Sequence, residues 1–150
     1  MTTLNYITNS LEDFCNKHKE IMEFGKGSYY KIDTNYKRKY PLVWITPQPS
    51  YIGGTVQDIK IHIMIGDNMY EDESNKWDCW NKSLSIATDI SDFFNSTYGD
   101  YNDYDIRIDE KNRIYIEFFE HLRDNELAGV FMEVVFTSPI DSNICKIPML

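Results

Sequence analysis

The chain has 150 residues, 42% hydrophobic and 15% aromatic, with 15 Lys+Arg against 24 Asp+Glu and a formal net charge of −9. That length suits one domain with its own core, and so aromatic a composition excludes a disordered polymer. The acid excess excludes a general nucleic-acid binder, whose affinity comes from neutralising phosphates with Lys and Arg.

Leu4, Ile7, Leu11, Phe14, Cys15, His18, Ile21 and Met22 recur at three- and four-residue steps. They predict an amphipathic helix over about residues 3–23, capped by Thr2 or Thr3 and ended by Gly25 in a left-handed conformation. Residues 28–33 read as a short β-strand and residues 34–40 as a basic loop. Leu42 to Thr46 is an apolar strand fenced by Pro41 and Pro47, and residues 47–54 form a loop by composition. Ile59, Ile61, Ile63 and Ile65 alternate with Lys60, His62 and Met64, the clearest two-residue period in the chain. One face of that strand is core and the other half polar.

From Glu71 the period becomes helical. Trp77, Trp80, Leu84, Ala87, Ile90 and Phe94 predict a second helix over about 73–96, with Asp72, Glu73 and Asp78 near its start, where the helix dipole favours anions. Gly99 to Asp103 breaks the chain, and strands follow over 104–109, 113–121 and 128–136. Residues 137–150, containing Pro139 and Pro148, have no period. The order predicts an α+β fold: a mainly antiparallel sheet of five or six strands with two amphipathic helices packed on one face. Residues 1–136 form a single domain, and 137–150 form a C-terminal extension that is a candidate inter-subunit arm.

Charge is spread unevenly along these elements. Residues 1–40 carry seven bases and five acids, whereas residues 67–110 carry three bases and twelve acids, a net −9 equal to that of the whole chain. Cys15, Cys79 and Cys145 are far apart, odd in number and without a CxxC pair, so buried thiols are expected in place of disulfides or a structural zinc site. No apolar run reaches about 18 residues, and acids stand where a signal peptide would be basic, so no membrane association is expected.

The candidates for chemistry are sparse. His18, His62 and His121 are isolated, and no nucleophile elbow, HExxH or phosphate-binding loop accompanies them, so no enzyme and no cofactor are expected. The acidic run holding Asp100, Asp103 and Asp105 imitates a calcium loop but has Asp105 where an EF-hand needs glycine and Lys111 where it needs glutamate. With Asp109 and Glu110 it reads as an acidic surface facing a channel or a partner. Tyr36, Lys37, Arg38, Lys39 and Tyr40 form the one basic cluster, flanked by aromatics, and are candidates for inter-subunit contact. Trp77 and Trp80 suit the core better than an interface, while the tyrosines outside the periodic segments suit protein contact.

The residues Glu23-Phe-Gly-Lys-Gly-Ser-Tyr29, Tyr40-Pro-Leu-Val-Trp-Ile-Thr-Pro47, the alternating strand into Asp67, and Glu71-Asp-Glu-Ser-Asn75 opening a long helix resemble the neck and tail-ring proteins of tailed bacteriophages. They are most like those of the crAss-like phages of Bacteroides-type hosts. The resemblance covers about residues 4–97 and, more weakly, the closing strands. It implies a virion structural protein of tail-terminator or head-tail connector type, assembled in the bacterial cytoplasm as a six- or twelve-fold homo-oligomeric ring. Portal, neck or tail ring proteins would be its neighbours, and DNA would pass through the channel without sequence-specific binding. The competing expectation is a small monomeric acidic module that imitates DNA charge and occupies a basic protein surface.

Overall fold

The computed structural model describes residues 3–32, 38–95, 107–108, 114–121, 126–139 and 148. The elements are α1 (Thr3–Lys17), β1 (Glu23–Lys26), a 3-10 turn (Tyr29–Ile32), β2 (Leu42–Pro47), β3 (Tyr51–Gly53), β4 (Val56–Asn68), α2 (Lys76–Asn95), β5 (Arg107–Ile108), β6 (Tyr115–Glu120) and β7 (Leu127–Pro139). The strands form one sheet in which β1, β2, β4 and β7 lie in order. Both β5 and β6 pair with the outer edge of β7, and β3 pairs with β4. Among the described strands only β1 and β2 run parallel, and the other pairs are antiparallel.

This is the α+β architecture the periodicities predict, with both helices on one face. The isoleucine alternation sends Ile61, Ile63 and Ile65 of β4 toward the helices, beside Val43 and Ile45 of β2 and Val130, Met132, Val134 and Phe136 of β7. Ile7, Leu11 and Cys15 of α1 and Ile86, Ala87 and Ile90 of α2 close over them. Each buried Val, Ile, Leu, Met or Phe side chain here contributes about 1.5–3 kcal/mol, which makes this layer the main source of stability. Phe14 and Phe93, with ring centroids 4.8 Å apart, and the 2.8 Å His18–Asp89 contact tie the end of α1 to α2.

A second apolar cluster lies on the opposite face, where Ile32, Leu42, Trp44, Met64 and Leu127 pack with Tyr29, Tyr40, Phe119 and Phe131. At this end the sheet is covered on both sides. That is why Leu42 to Ile45 and Ile63 to Gly66 are buried without alternation.

Several expectations shift. The first helix stops at Lys17, and Gly25 lies in β1. A Cβ at Gly25 would stand 2.1 Å from the Trp44 ring, so the glycine serves close packing there, not a helix end. Residues 29–32 form a turn where a strand is expected, because Tyr29 and Ile32 are drawn onto the second face of the sheet. With β1 and β3, the described strands number seven. The expected extension at 137 begins inside β7, since Thr137, Ser138 and Pro139 pair with Asp58, Gln57 and Val56. Among the described residues no helix is long and apolar enough to cross a membrane.

Candidate interaction surface and ligand cluster

The basic cluster is partly consumed within the fold. Tyr36 and Lys37 lie outside the described residues, as do Asp100, Asp103, Asp105, Asp109 and Glu110. Arg38 folds back: its guanidinium donates to the Lys31 carbonyl at 3.0 Å and to Glu23 Oε1 at 3.4 Å, and stands 4.9 Å above the Trp44 ring. The Lys39 amide donates to Glu23 Oε2 at 3.2 Å, and Tyr40 packs on the second-face cluster. These residues pin their loop to the sheet and leave only Lys39 with an exposed side chain among the described ones.

The surface that stands out lies where β4 hands over to α2. Met69, Cys79 and Ala128, with Trp80 against them, anchor this corner. The turn between is held by its own polar groups. The Tyr70 amide donates to Asn75 Oδ1 at 2.7 Å, Asn75 Nδ2 donates to the Asn68 carbonyl at 3.1 Å, and the Ser74 amide donates to Asp72 Oδ1 at 3.1 Å. That last bond and a second one from Ser74 hold the Asp72 carboxyl below its usual range.

Around this rigid turn aromatic rings face solvent. Trp77 is 72% exposed, Tyr70 61% and Phe118 50%. Trp80 meets Trp77 and Phe118 edge-on and donates from Nε1 to the Phe119 carbonyl at 2.9 Å. The two tryptophans therefore divide: Trp80 is structural and Trp77 is surface, which corrects the expectation that both serve the core. Helical spacing could not separate them, because only the fold brings Phe118 and the Phe119 carbonyl of β6 against Trp80 while Trp77 stays 72% exposed.

Charged groups fill the middle of the patch. His121 Nε2 lies 3.1 Å from Glu73 Oε1, and Lys76 Nζ lies 2.9 Å from Glu120 and 3.7 Å from Glu73. Glu73, Glu120 and His121 bring one donor atom each within 4.8 Å of one another. The bond from His121 and the charge of Lys76 hold the Glu73 carboxyl below its usual range, and Glu120 raises the Lys76 ammonium above its own. Glu73 and His121 both have left-handed backbones, with φ of 59° and 52°. That conformation is disfavoured for any residue with a Cβ, and the return from an exposed ion pair is small.

The other histidines are engaged singly. His18 contacts Asp89, and His62 Nδ1 pairs with the Tyr29 hydroxyl while its ring stacks 4.9 Å from Phe131. Burial lowers the His62 pKa and raises that of Tyr29. An apolar cavity of about 280 Å³ opens between the start of α1 and the sheet, lined by Leu4, Thr8, Ile45, Pro47 and Ile61. It holds no acid–base pair. Glu73 and His121 are 48 residues apart and share no periodic pattern, so only the fold brings them together.

No family model matches the chain, and no curated protein matches it.

Proposed function

We propose that this chain is a virion structural protein, one subunit of a homo-oligomeric ring in the head-tail connector or tail of a tailed phage, surrounding the DNA channel. The observation that carries the reading is a pair of unlike exposed apolar patches at opposite ends of β4. At one end the β3–β4 hairpin presents Tyr51 and Ile52, 79% and 78% exposed; at the other stand Trp77, Tyr70 and Phe118. Tyr51 and Ile52 lie beside residues 57 and 58 of β4 and the other patch beside residues 65–68, a separation of about 30 Å at roughly 3.3 Å per residue. Unlike patches on one chain associate head to tail, and such contacts close into rings when the rotation permits. Exposed aromatics bury large areas with few rotatable bonds, which suits them to this use.

Charge supports the same reading. Glu71, Asp72 and Asp78, with Asp89 and Asp92 on α2, form an exposed acidic surface. Phosphates are repelled by such a wall, so DNA slides past it without adhering. The interface is assigned to the aromatic patches because the Arg38 charge is already spent on Glu23 and the Lys31 carbonyl.

The test is oligomeric state by light scattering and negative-stain microscopy, on the full chain and on Ile52→Asp and Trp77→Asp. Rings of one size are expected from the parent, and monomers from each variant alone. An equimolar mixture of the variants should give dimers, because each keeps one intact patch. A parent that stays monomeric at about 100 µM, or variants that still form rings, would overturn the reading and favour a monomeric acidic module that docks on a basic protein surface.

A further inference from the structure

The geometry points to a zinc site in which Nε2 of His121 and one carboxylate oxygen each from Glu73 and Glu120 are the protein ligands and water completes the coordination. All three ligands belong to one chain and one corner of its sheet, which lies within the aromatic patch assigned to the ring contact, so zinc binding is also read on the Ile52→Asp variant, where this corner is intact and uncovered.

The donor set selects the ion. Imidazole with two carboxylates suits zinc, which takes three protein ligands and leaves a fourth position to water. Calcium needs six to eight oxygens, and magnesium near-ideal octahedral geometry, so three ligands including a nitrogen suit neither. The distances are close. Ligands on bonds of about 2.1 Å in a tetrahedron lie about 3.4 Å apart. Here His121 and Glu73 are at 3.1 Å, and all three donors fall within 4.8 Å. A rotamer adjustment of an exposed glutamate closes the remainder.

Two further observations support a cation here. The position already attracts one: the Lys76 ammonium stands between the two carboxylates, its Nζ 5.4 Å from the centre of the Trp80 ring. The Lys76 side chain is partly exposed, so a divalent ion that takes the two carboxylates can displace its ammonium toward solvent. In addition, Glu73, in the turn held by Asn75 and Asp72, and His121, directly after β6, both adopt left-handed backbones where they meet. A bound ion supplies the return that an exposed His–Glu pair does not.

The competition between Lys76 and the metal gives a test with opposite signs. Zinc is titrated calorimetrically into the full chain near pH 7.5, with circular dichroism confirming that each variant folds. One ion per chain is expected, with a dissociation constant tighter than about 100 µM. His121→Ala and Glu120→Gln should weaken it about tenfold or more, while Lys76→Ala should tighten it severalfold by removing the competing ammonium. Cobalt should give tetrahedral visible bands without a thiolate charge-transfer band, which excludes the cysteines as ligands. No heat up to about 1 mM zinc, affinity unchanged in His121→Ala, or weaker binding in Lys76→Ala overturns the proposal. The oligomer test above can fail without affecting any of these readouts.

Discussion

Gly129→Ala tests the tightest point of the sheet. Gly129 of β7 lies opposite Gly66 of β4, and a Cβ at Gly129 would stand 1.8 Å from the Ile65 carbonyl oxygen and 2.8 Å from the Gly66 Cα. Both obstacles are backbone, so no side chain can turn aside. Ordinary contact requires the two central strands to part by more than about 1 Å, which strains the packing by about 1–3 kcal/mol. Losing two flanking ladder hydrogen bonds adds about 0.5–1.5 kcal/mol each. The sum, about 2–6 kcal/mol, is a large fraction of the 5–15 kcal/mol that holds a typical domain together. For a chain of this size it corresponds to a fall in Tm of about 10 °C.

Gly66→Ala is the control. Its Cβ would meet Met64 Sδ at 3.3 Å and Phe119 Cζ at 3.4 Å, both side-chain ends that yield, so its cost should stay below about 1 kcal/mol. Thermal melts followed by far-UV circular dichroism compare the two. A Gly129→Ala variant melting within about 2 °C of the parent, or Gly66→Ala as the worse of the pair, would refute the packing argument.

Other outcomes follow from buried groups. Burial, helped by Glu12, pushes the Cys15 thiol up to about 12, and burial with Asp67 pushes Cys79 to about 11. Neither should be alkylated by iodoacetamide at pH 8 until the chain is unfolded, as read by peptide mass mapping; rapid labelling of either in the native state contradicts its placement. His62 has a pKa depressed by burial from its ordinary 6.5, so the native state favours the neutral ring. Stability is therefore full above about pH 6.5 and declines as pH falls toward the native value, because the unfolded chain takes up a proton that the native one resists. The urea midpoint should drop between pH 7.5 and 5.5 by more in the parent than in His62→Gln; equal drops would dismiss this role. Trp44→Phe removes the 2.9 Å bond from Nε1 to the Gly27 carbonyl and should cost about 1 kcal/mol in urea unfolding. No loss would mean that the bond contributes nothing net.

The sequence made legible what repeats and obscured what depends on a distant partner. The isoleucines of β4 and the apolar spacing of α2 announce their elements because each is a regular element with one face set on the core. The strand β1 is obscured, since Gly25 reads as a helix end until Trp44 is seen against it. Composition hides β3 in the same way: residues 47–54 hold two prolines and two glycines, yet Tyr51 to Gly53 find a partner in β4. At 29–32 the β-prone tyrosines and isoleucine fold into a turn, because the second face of the sheet takes Tyr29 and Ile32 out of line. The ligand cluster is invisible in the same sense. Glu120 and His121 meet Glu73 only after β6 has paired with β7 and β7 with β4.

That last pairing also governs the route to the fold. In the β4–β7 ladder residue 56 pairs with residue 139 and residue 68 with residue 127, so the longest ladder encloses α2 and most of the acidic segment in a closed loop. Closing such a loop costs entropy before any contact repays it, and chains dominated by distant pairings fold slowly. β2, β3 and β4, joined by short connections, are placed to form first, leaving one edge of a long strand unsatisfied while the intervening chain searches. During that interval the self-repulsion of residues 67–110 keeps molecules apart. The acidity of residues 67–110 thus also protects the unfinished chain from its own copies.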